Sequence, residues 1–409
     1  MQKDDPISSA RASGYGNMRV LLTGGGTAGH INPALAIADV IRRNAPASEI
    51  AFVGVKGGRE EDLVPREGYP LYYVESVGFA RPIWRLKNLR ALRLALRSPH
   101  APETQKILDD FKPDLVIGTG GYACWPIMKA ATERGIPTAV HESNAKPGLA
   151  IKRLKKQVDR IWVNFEVTQK ELGVPEKTKR VGNPLRECYE SISRERARAH
   201  LGVSQEQIVV LSFGGSLGAD AINDAALEVM QNCGALHPEI LHWHATGKRG
   251  YDATRSKFEE LGLEQSPNCR IFDYFYDMPY RMAAADLIIS RAGAMTISEL
   301  SRLGRAAILI PSPNVVDDHQ TANARALADQ NAAVLIPESA LPDGMLTEAV
   351  VDLLSSPARM RELQTNIHNF SGPDAGQLIW QEIVALTAHA KSKQNETDNK
   401  KDEKRKDKQ

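Results

Sequence analysis

One construction occurs twice in this sequence: an apolar run, a glycine-rich loop, then a helical pattern. The first copy is Leu21-Leu22-Thr23-Gly24-Gly25-Gly26-Thr27-Ala28-Gly29-His30, leading into Ile31-Asn32-Pro33-Ala34-Leu35-Ala36-Ile37-Ala38. The second is Ile208-Val209-Val210-Leu211-Ser212-Phe213, followed by Gly214-Gly215-Ser216-Leu217-Gly218-Ala219. Strand, tight loop and helix in that order aim the unbonded N–H groups of the helix start at whatever fills the loop, and phosphate is the natural occupant. Gly24, Gly26 and Gly29 fit G-x-G-x-x-G, but a dinucleotide site also needs an acid ending the second strand. That strand is Ile50-Ala51-Phe52-Val53-Gly54, with Val55-Lys56-Gly57 after it. The missing acid argues against a nicotinamide or flavin enzyme. Close helix–strand packing with no ligand is the bland alternative for the glycines. It explains His30 less well, because a polar ring directly after such a loop belongs at the open end of a sheet.

Each copy leads a series of apolar runs separated by helix-length segments. The first continues with Leu71 to Val77, Asp114 to Gly118, Thr138 to His141 and Arg160 to Val163. The second continues with Ile240 to His244, Arg270 to Asp273, Asp286 to Ser290, Ala306 to Ile310 and Ala332 to Ile336. This alternation predicts two α/β domains with Rossmann-like parallel sheets, facing one another across a cleft at the carboxyl ends of the strands. The turn-favouring Gly182-Asn183-Pro184 marks the boundary. The division expected is 1–17 disordered, 18–182, 183–360, C-terminal helices 361–390 and a disordered charged tail 391–409.

A net charge of +2 over 409 residues argues against general nucleic-acid binding. Cys124, Cys188, Cys233 and Cys269 are far apart and without C-x-x-C spacing, so neither a disulfide framework nor a zinc site is indicated. No apolar run approaches a membrane span, and Met1 to Asn17 lacks the apolar centre of a signal peptide. Arg81 to Arg97 nevertheless carries six basic residues and no acid, interleaved with Ile83, Trp84, Leu86, Leu89, Leu92, Leu94 and Leu96. Such a segment suits an anionic membrane surface, the alternative being core leucines beneath a solvated face. Lys146 to Lys156, with Lys152, Arg153 and Lys155, is a second basic segment open to the same two readings.

The blocks Gly25 to His30, Gly120-Gly121-Tyr122, His141-Glu142-Ser143-Asn144, Gly182 to Arg186, Gly214 to Ala219, Ser290 to Glu299 and Asp318 to Ala324 together resemble the MurG family. These are bacterial N-acetylglucosaminyltransferases that convert lipid I to lipid II in peptidoglycan synthesis. The resemblance runs in order from about Arg19 to about Ala390. It implies a GT-B enzyme with an inverting mechanism, its N-terminal domain binding the lipid-linked acceptor and its C-terminal domain UDP-N-acetylglucosamine (UDP-GlcNAc). It further implies no cofactor, no metal, a peripheral position on the cytoplasmic face of the plasma membrane, and cell-wall synthesis proteins as possible partners. The acidic pair Asp317-Asp318 is the nearest thing to a metal constellation, and a GT-B enzyme stabilises leaving UDP with helix starts and side chains instead.

Carried onto this chain, the resemblance gives His30 as the candidate general base, the alternative being a residue that orients the acceptor without taking its proton. Gly26 and Gly29 would offer N–H groups to the acceptor diphosphate, and Glu142 and Asn144 would meet its sugar; Ser143 and Asn144 could instead cap a helix beginning at Pro147. For the donor it implies Thr27, Arg186, Ser216, Phe275, Ala294, Met295, Thr296, Glu299, Gln320 and Asn323. Phe275 would lie against uracil, and the helix start at Ala294 to Thr296 would face the diphosphate. A carboxylate can accept both hydroxyls of a ribose diol, which suits Glu299, although T-x-x-E from Thr296 to Glu299 is also a capping box. Gln320 and Asn323 would bind sugar hydroxyls, their alternative being an ordinary polar helix face. Two other readings remain: a UDP-GlcNAc 2-epimerase, and a non-catalytic nucleotide-sugar-binding protein.

Overall fold

A computed structural model describes residues 17–78, 88–215, 217–234, 236–315, 318–371 and 374–406. The expected disordered extension before Asn17, the Arg81 to Lys87 part of the first basic segment, Ser216 and Asp317 lie outside them. The chain divides into two units, one running to Pro184 and resuming with the C-terminal helix, the other beginning at Leu185.

The first unit holds a seven-stranded parallel sheet in the order β3-β2-β1-β4-β5-β6-β7. Its strands are β1 (Arg19–Thr23), β2 (Glu49–Gly54), β3 (Leu71–Tyr73), β4 (Leu115–Gly118), β5 (Thr138–Glu142), β6 (Arg160–Val163) and β7 (Thr178–Arg180). Because helices cover both faces, the central strands are apolar on both sides. Val20 and Leu22 of β1 point into one core with Ile31, Ile37 and Ile41 of the helix Ala28–Asn44, whereas Leu21 points into the other with Ile127 and Met128 of the helix Cys124–Glu133. Each such side chain, fully buried, contributes roughly 1.5–3 kcal/mol.

The second unit repeats the plan in a six-stranded parallel sheet, β10-β9-β8-β11-β12-β13. Its strands are β8 (Ile208–Phe213), β9 (Ile240–Ala245), β10 (Cys269–Phe272), β11 (Leu287–Ser290), β12 (Ala306–Leu309) and β13 (Val334–Leu335). In both sheets the strand order reverses beside the strand that precedes the glycine loop. β1 lies between β2 and β4, and β8 between β9 and β11. Ligands of open α/β sheets bind at that switch point, outside the carboxyl ends of the strands.

Residues 361–390 do not form one C-terminal group. The helix Pro357–Phe370 packs through Met360 and Leu363 into the core of the second unit. The helix Ala375–Lys406 returns to the first, where Ile379, Trp380, Ile383 and Leu386 form one stripe against the helix Ala28–Asn44. Lys179 Nζ at 2.7 Å from Glu382 ties this helix to β7. The charged tail, expected to be disordered, continues this helix as far as Lys406; no glycine or proline interrupts residues 391–406.

Candidate active site

At the switch point of the first unit, Thr27 is the extended N-cap of the helix Ala28–Asn44, and its backbone carbonyl accepts the His30 N–H at 3.0 Å and the Ile31 N–H at 3.2 Å. Its hydroxyl lies 3.1 Å from His30 Nδ1. Gly120 and Gly121, both with positive φ after β4, back the imidazole. A Cβ on Gly120 would come within 3.0 Å of His30 Cδ2, and one on Gly121 within 2.0 Å of the Gly25 carbonyl oxygen. Thr119 donates its hydroxyl to the His30 carbonyl at 2.6 Å. Ring and helix start are thus fixed from both strands of the switch point.

The three glycines of the motif differ in purpose. A Cβ on Gly24 would fall 1.9 Å from Thr119 Oγ1, so this glycine serves close packing. Gly26 has φ +87° and gives its N–H to Glu60 Oε2 at 3.3 Å. Gly29 is exposed, and a Cβ there would touch only Thr27 Oγ1 at an ordinary 3.6 Å. Of the two loop N–H groups assigned to the acceptor diphosphate, that of Gly26 is therefore already accepted by a carboxylate.

Glu142 likewise faces inward. It is 5% exposed; Oε1 accepts the Asn144 N–H at 3.0 Å and its side-chain amide at 3.1 Å, and Oε2 accepts the Gly148 N–H at 2.8 Å. Burial pushes its pKa up, opposed by those hydrogen bonds and by Lys152. Glu142 braces the loop after β5, and Asn144 is the half-buried member of the pair. Ser143 and Asn144 do not cap the next helix, which spans Leu149–Leu154 with Gly148 as N-cap.

In the second unit, Gly214-Gly215 and Gly218-Ala219 form a tight loop after β8; a Cβ on Gly218 would fall 2.0 Å from the Thr246 carbonyl oxygen. Beneath it, the Ser212 hydroxyl lies 2.8 Å from both His242 Nε2 and His244 Nδ1, and Asn223 joins His244 Nε2 to the Thr246 carbonyl. Burial lowers the pKa values of His242 and His244 to about 3 and about 4, so both rings are neutral. A cavity of about 480 Å³ lies between this loop, Arg291, Ser312 and Gln320, within the size range of small-molecule sites. Gln320 is oriented by the Ser312 N–H, which donates to its Oε1 at 2.9 Å.

After β11 the helix Ala294–Leu303 starts with Gly293 as N-cap, no side-chain cap and no acid in its first turn. Thr296 and Glu299 are consequently inside the helix, and the capping-box alternative fails. Met295, Thr296 and Glu299 are all half-buried; Ala294 is buried. The Glu299 carboxyl is enclosed beside Tyr189 and Arg186. Loss of water pushes its pKa up to about 7, against the lowering effects of the Tyr189 hydroxyl and the Arg186 charge. Arg186 itself is exposed, as N-cap of the helix Glu187–Ser191.

Asn323 and Phe275 are more interior than the sequence suggests. Asn323 is fully buried and donates Nδ2 to the Ala292 carbonyl at 3.1 Å, so it holds the turn that precedes the helix start. Phe275 is 2% exposed, packed on Phe272 with the Arg281 guanidinium 4.6 Å above its ring, while Tyr274 and Tyr276 are exposed. Sequence reasoning missed Glu60, Tyr189 and Arg291; Gly25, Gly54 and Gly58, the glycines that surround Glu60, are gathered only by the fold.

The two basic segments separate. In the helix Asn88–Arg97, Leu89, Leu92 and Leu96 are exposed at 55, 40 and 66% beside Arg90, Arg93 and Arg97, so these leucines are not core. In the second segment Lys152 pairs with Glu171 at 2.7 Å, Lys155 donates to the Leu172 carbonyl, and Ile151 and Leu154 are buried; this is a solvated helix face. No helix among the described residues is long and apolar enough to cross a membrane.

Residues 20–163 match the glycosyltransferase family 28 N-terminal domain, and residues 209–379 match the family 28 C-terminal domain. The chain is 41% identical over 369 residues to the UDP-N-acetylglucosamine--N-acetylmuramyl-(pentapeptide) pyrophosphoryl-undecaprenol N-acetylglucosamine transferase of Acetivibrio thermocellus, covering 90% of this chain and 97% of that one. Among solved structures, MurG of Acinetobacter baumannii aligns with a TM-score of 0.71 at 26% identity, over 90% of this chain and 99% of that one. A UDP-GlcNAc 2-epimerase of Neisseria meningitidis aligns with a TM-score of 0.59 at 14% identity, over 90% and 100%, a likeness of fold alone. The chain belongs to glycosyltransferase family 28 and, within it, to the MurG family.

Proposed function

We infer that this chain transfers N-acetylglucosamine from UDP-GlcNAc to the 4-hydroxyl of the N-acetylmuramoyl group of lipid I, producing lipid II. The observation that carries this reading is the 41% identity to such a transferase across nearly the whole of both chains, against a likeness of fold alone to the epimerase.

The reaction forms a bond from the acceptor oxygen to the anomeric carbon as the bond from that carbon to the UDP oxygen breaks, with inversion. His30 takes the hydroxyl proton. With Nδ1 protonated and donating to Thr27 Oγ1, Nε2 carries the lone pair, and a base so placed typically contributes about 100- to 10,000-fold. The open Gly29 face of the loop receives the acceptor diphosphate, with Asn144 near its sugar and Glu142 holding that loop in shape. On the donor side, the uncapped helix start at Ala294 to Thr296, with Arg186 and the Gly214 to Ala219 loop that includes Ser216, stabilises the charge left on UDP. Glu299 binds the ribose diol and Gln320 the sugar, while Asn323 acts through the turn it braces and Phe275 through the wall behind uracil.

The Leu89, Leu92 and Leu96 stripe, flanked by arginines, docks the first unit on an anionic bilayer surface, where a polyprenyl-linked acceptor resides. This makes the enzyme peripheral to the cytoplasmic face of the plasma membrane, within reach of other cell-wall enzymes.

The test of the base is UDP release by His30→Ala with UDP-GlcNAc and a lipid I analogue. A loss of about 100-fold or more in kcat with unchanged UDP affinity is expected. A loss below about tenfold would leave His30 only an orienting role.

A further inference from the structure

The buried carboxylate of Glu60 is absorbed by none of the functions above. Glu60 begins the helix Glu60–Arg66, yet it is 1% exposed and reaches away from that helix into two loops. Oε1 accepts the Val55 N–H at 3.0 Å, after β2, and Oε2 accepts the Gly26 N–H at 3.3 Å, after β1. Three glycines make room for it. A Cβ on Gly25, Gly54 or Gly58 would come within 2.6, 2.4 or 2.4 Å of Glu60 side-chain atoms. A carboxylate this enclosed is costly unless compensated, and a core that needed only volume would be better filled by an apolar side chain.

Its place explains the choice. Gly26 is held between the Glu60 carboxylate and the Tyr122 ring, whose Cε1 would lie 2.6 Å from a Cβ on Gly26. The next residue is Thr27, whose carbonyl starts the helix and whose hydroxyl meets His30 Nδ1.

We propose that Glu60 is a positioning residue, an internal anion that fixes the glycine loop from within and thereby sets Thr27 and His30 for proton transfer. This rests on the reading of His30 given above. A purely structural Glu60 would instead affect both substrates and every background alike.

Steady-state kinetics with UDP-GlcNAc and a lipid I analogue, on wild type, Glu60→Gln, His30→Ala and the double variant, separate the two. UDP affinity, reporting on the second unit, is measured for each. Transfer by the wild type tests the assigned reaction, and the base role of His30 is tested by its own variant; the Glu60 comparison is meaningful once both hold. Glutamine is isosteric, but its amide NH2 cannot accept both N–H groups. In the wild-type background Glu60→Gln is expected to lower kcat about 10- to 100-fold, the scale of a misplaced reacting group, with the KM for UDP-GlcNAc nearly unchanged. In the His30→Ala background the same change is expected to cost less than about twofold, because the group it acts through is gone.

Full additivity with His30→Ala, unchanged kcat, or parallel loss of donor affinity would overturn the proposal. If Glu60→Gln does not fold, Gly58→Ala takes its place, since its methyl displaces the carboxylate without altering charge. The same kcat loss and non-additivity are then required. Failure of both variants to melt cooperatively would assign Glu60 to folding and also overturn it.

Discussion

The ribose-binding role proposed for Glu299 comes at the expense of the fold, and Glu299→Gln should expose that conflict. Its enclosed carboxyl titrates near pH 7 in the folded protein, against 4.5 for an ordinary glutamate. At about 1.4 kcal/mol per pH unit, keeping it ionised well above pH 7 costs the folded state about 3 kcal/mol. The sign follows from the raised pKa: the unfolded chain releases the proton first, so stability is lost as pH rises from 4.5 through about 7. Glutamine keeps an acceptor for the Tyr189 hydroxyl and carries no charge. Denaturant melts of the two proteins should therefore coincide near pH 4.5 and diverge near pH 8.5, with the variant the more stable by up to about 3 kcal/mol. Binding should move the other way. The wild-type KM for UDP-GlcNAc should fall as pH rises through 7, because the ionised carboxylate is the better acceptor for ribose hydroxyls, and the variant should lose that dependence. A stability difference independent of pH, or a variant less stable near pH 8.5, would refute the reasoning.

Asn323→Ala leaves the Ala292 carbonyl unbonded in the interior; it should cost about 1–3 kcal/mol in a melt and raise the KM for UDP-GlcNAc without changing acceptor KM. The neutral His242 and His244 have folded pKa values far below the usual 6.5, so the unfolded chain binds protons first as pH falls. Melting temperature should drop as pH goes from about 6.5 toward 4, and a flat profile there would contradict the buried network. Replacing Leu92 and Leu96 by glutamate should abolish sedimentation with phosphatidylglycerol vesicles while leaving UDP affinity intact; retained sedimentation would exclude this helix as the docking element.

Much of this was legible in the sequence because two simple physical signals coincide. Doubly buried parallel strands read as unbroken apolar runs, and a glycine loop before a helical pattern marks the end where ligands bind. The edge strand Thr178–Arg180 escaped, since its short polar segment carries no apolar run. The docking of Ile379, Trp380, Ile383 and Leu386 on the helix Ala28–Asn44 escaped because a stripe does not name its partner. The candidate site was legible as a list of positions more than as a set of contacts. A polar residue at a strand end looks the same whether it faces a ligand or braces the loop that does; Glu142 and Asn323 brace their loops, and the Gly26 N–H is taken by Glu60. Glu60 was invisible for the converse reason: helix start and loop are distant in sequence, and only the fold brings its carboxylate under the glycines.

The most direct test of the central claim is UDP release from UDP-GlcNAc by the purified protein, with and without a lipid I analogue, with the sugar product identified. Release that requires the acceptor and yields a β-linked GlcNAc–MurNAc disaccharide is the expected result. Release without acceptor, accompanied by N-acetylmannosamine, would contradict the transferase and leave the fold hosting an epimerase.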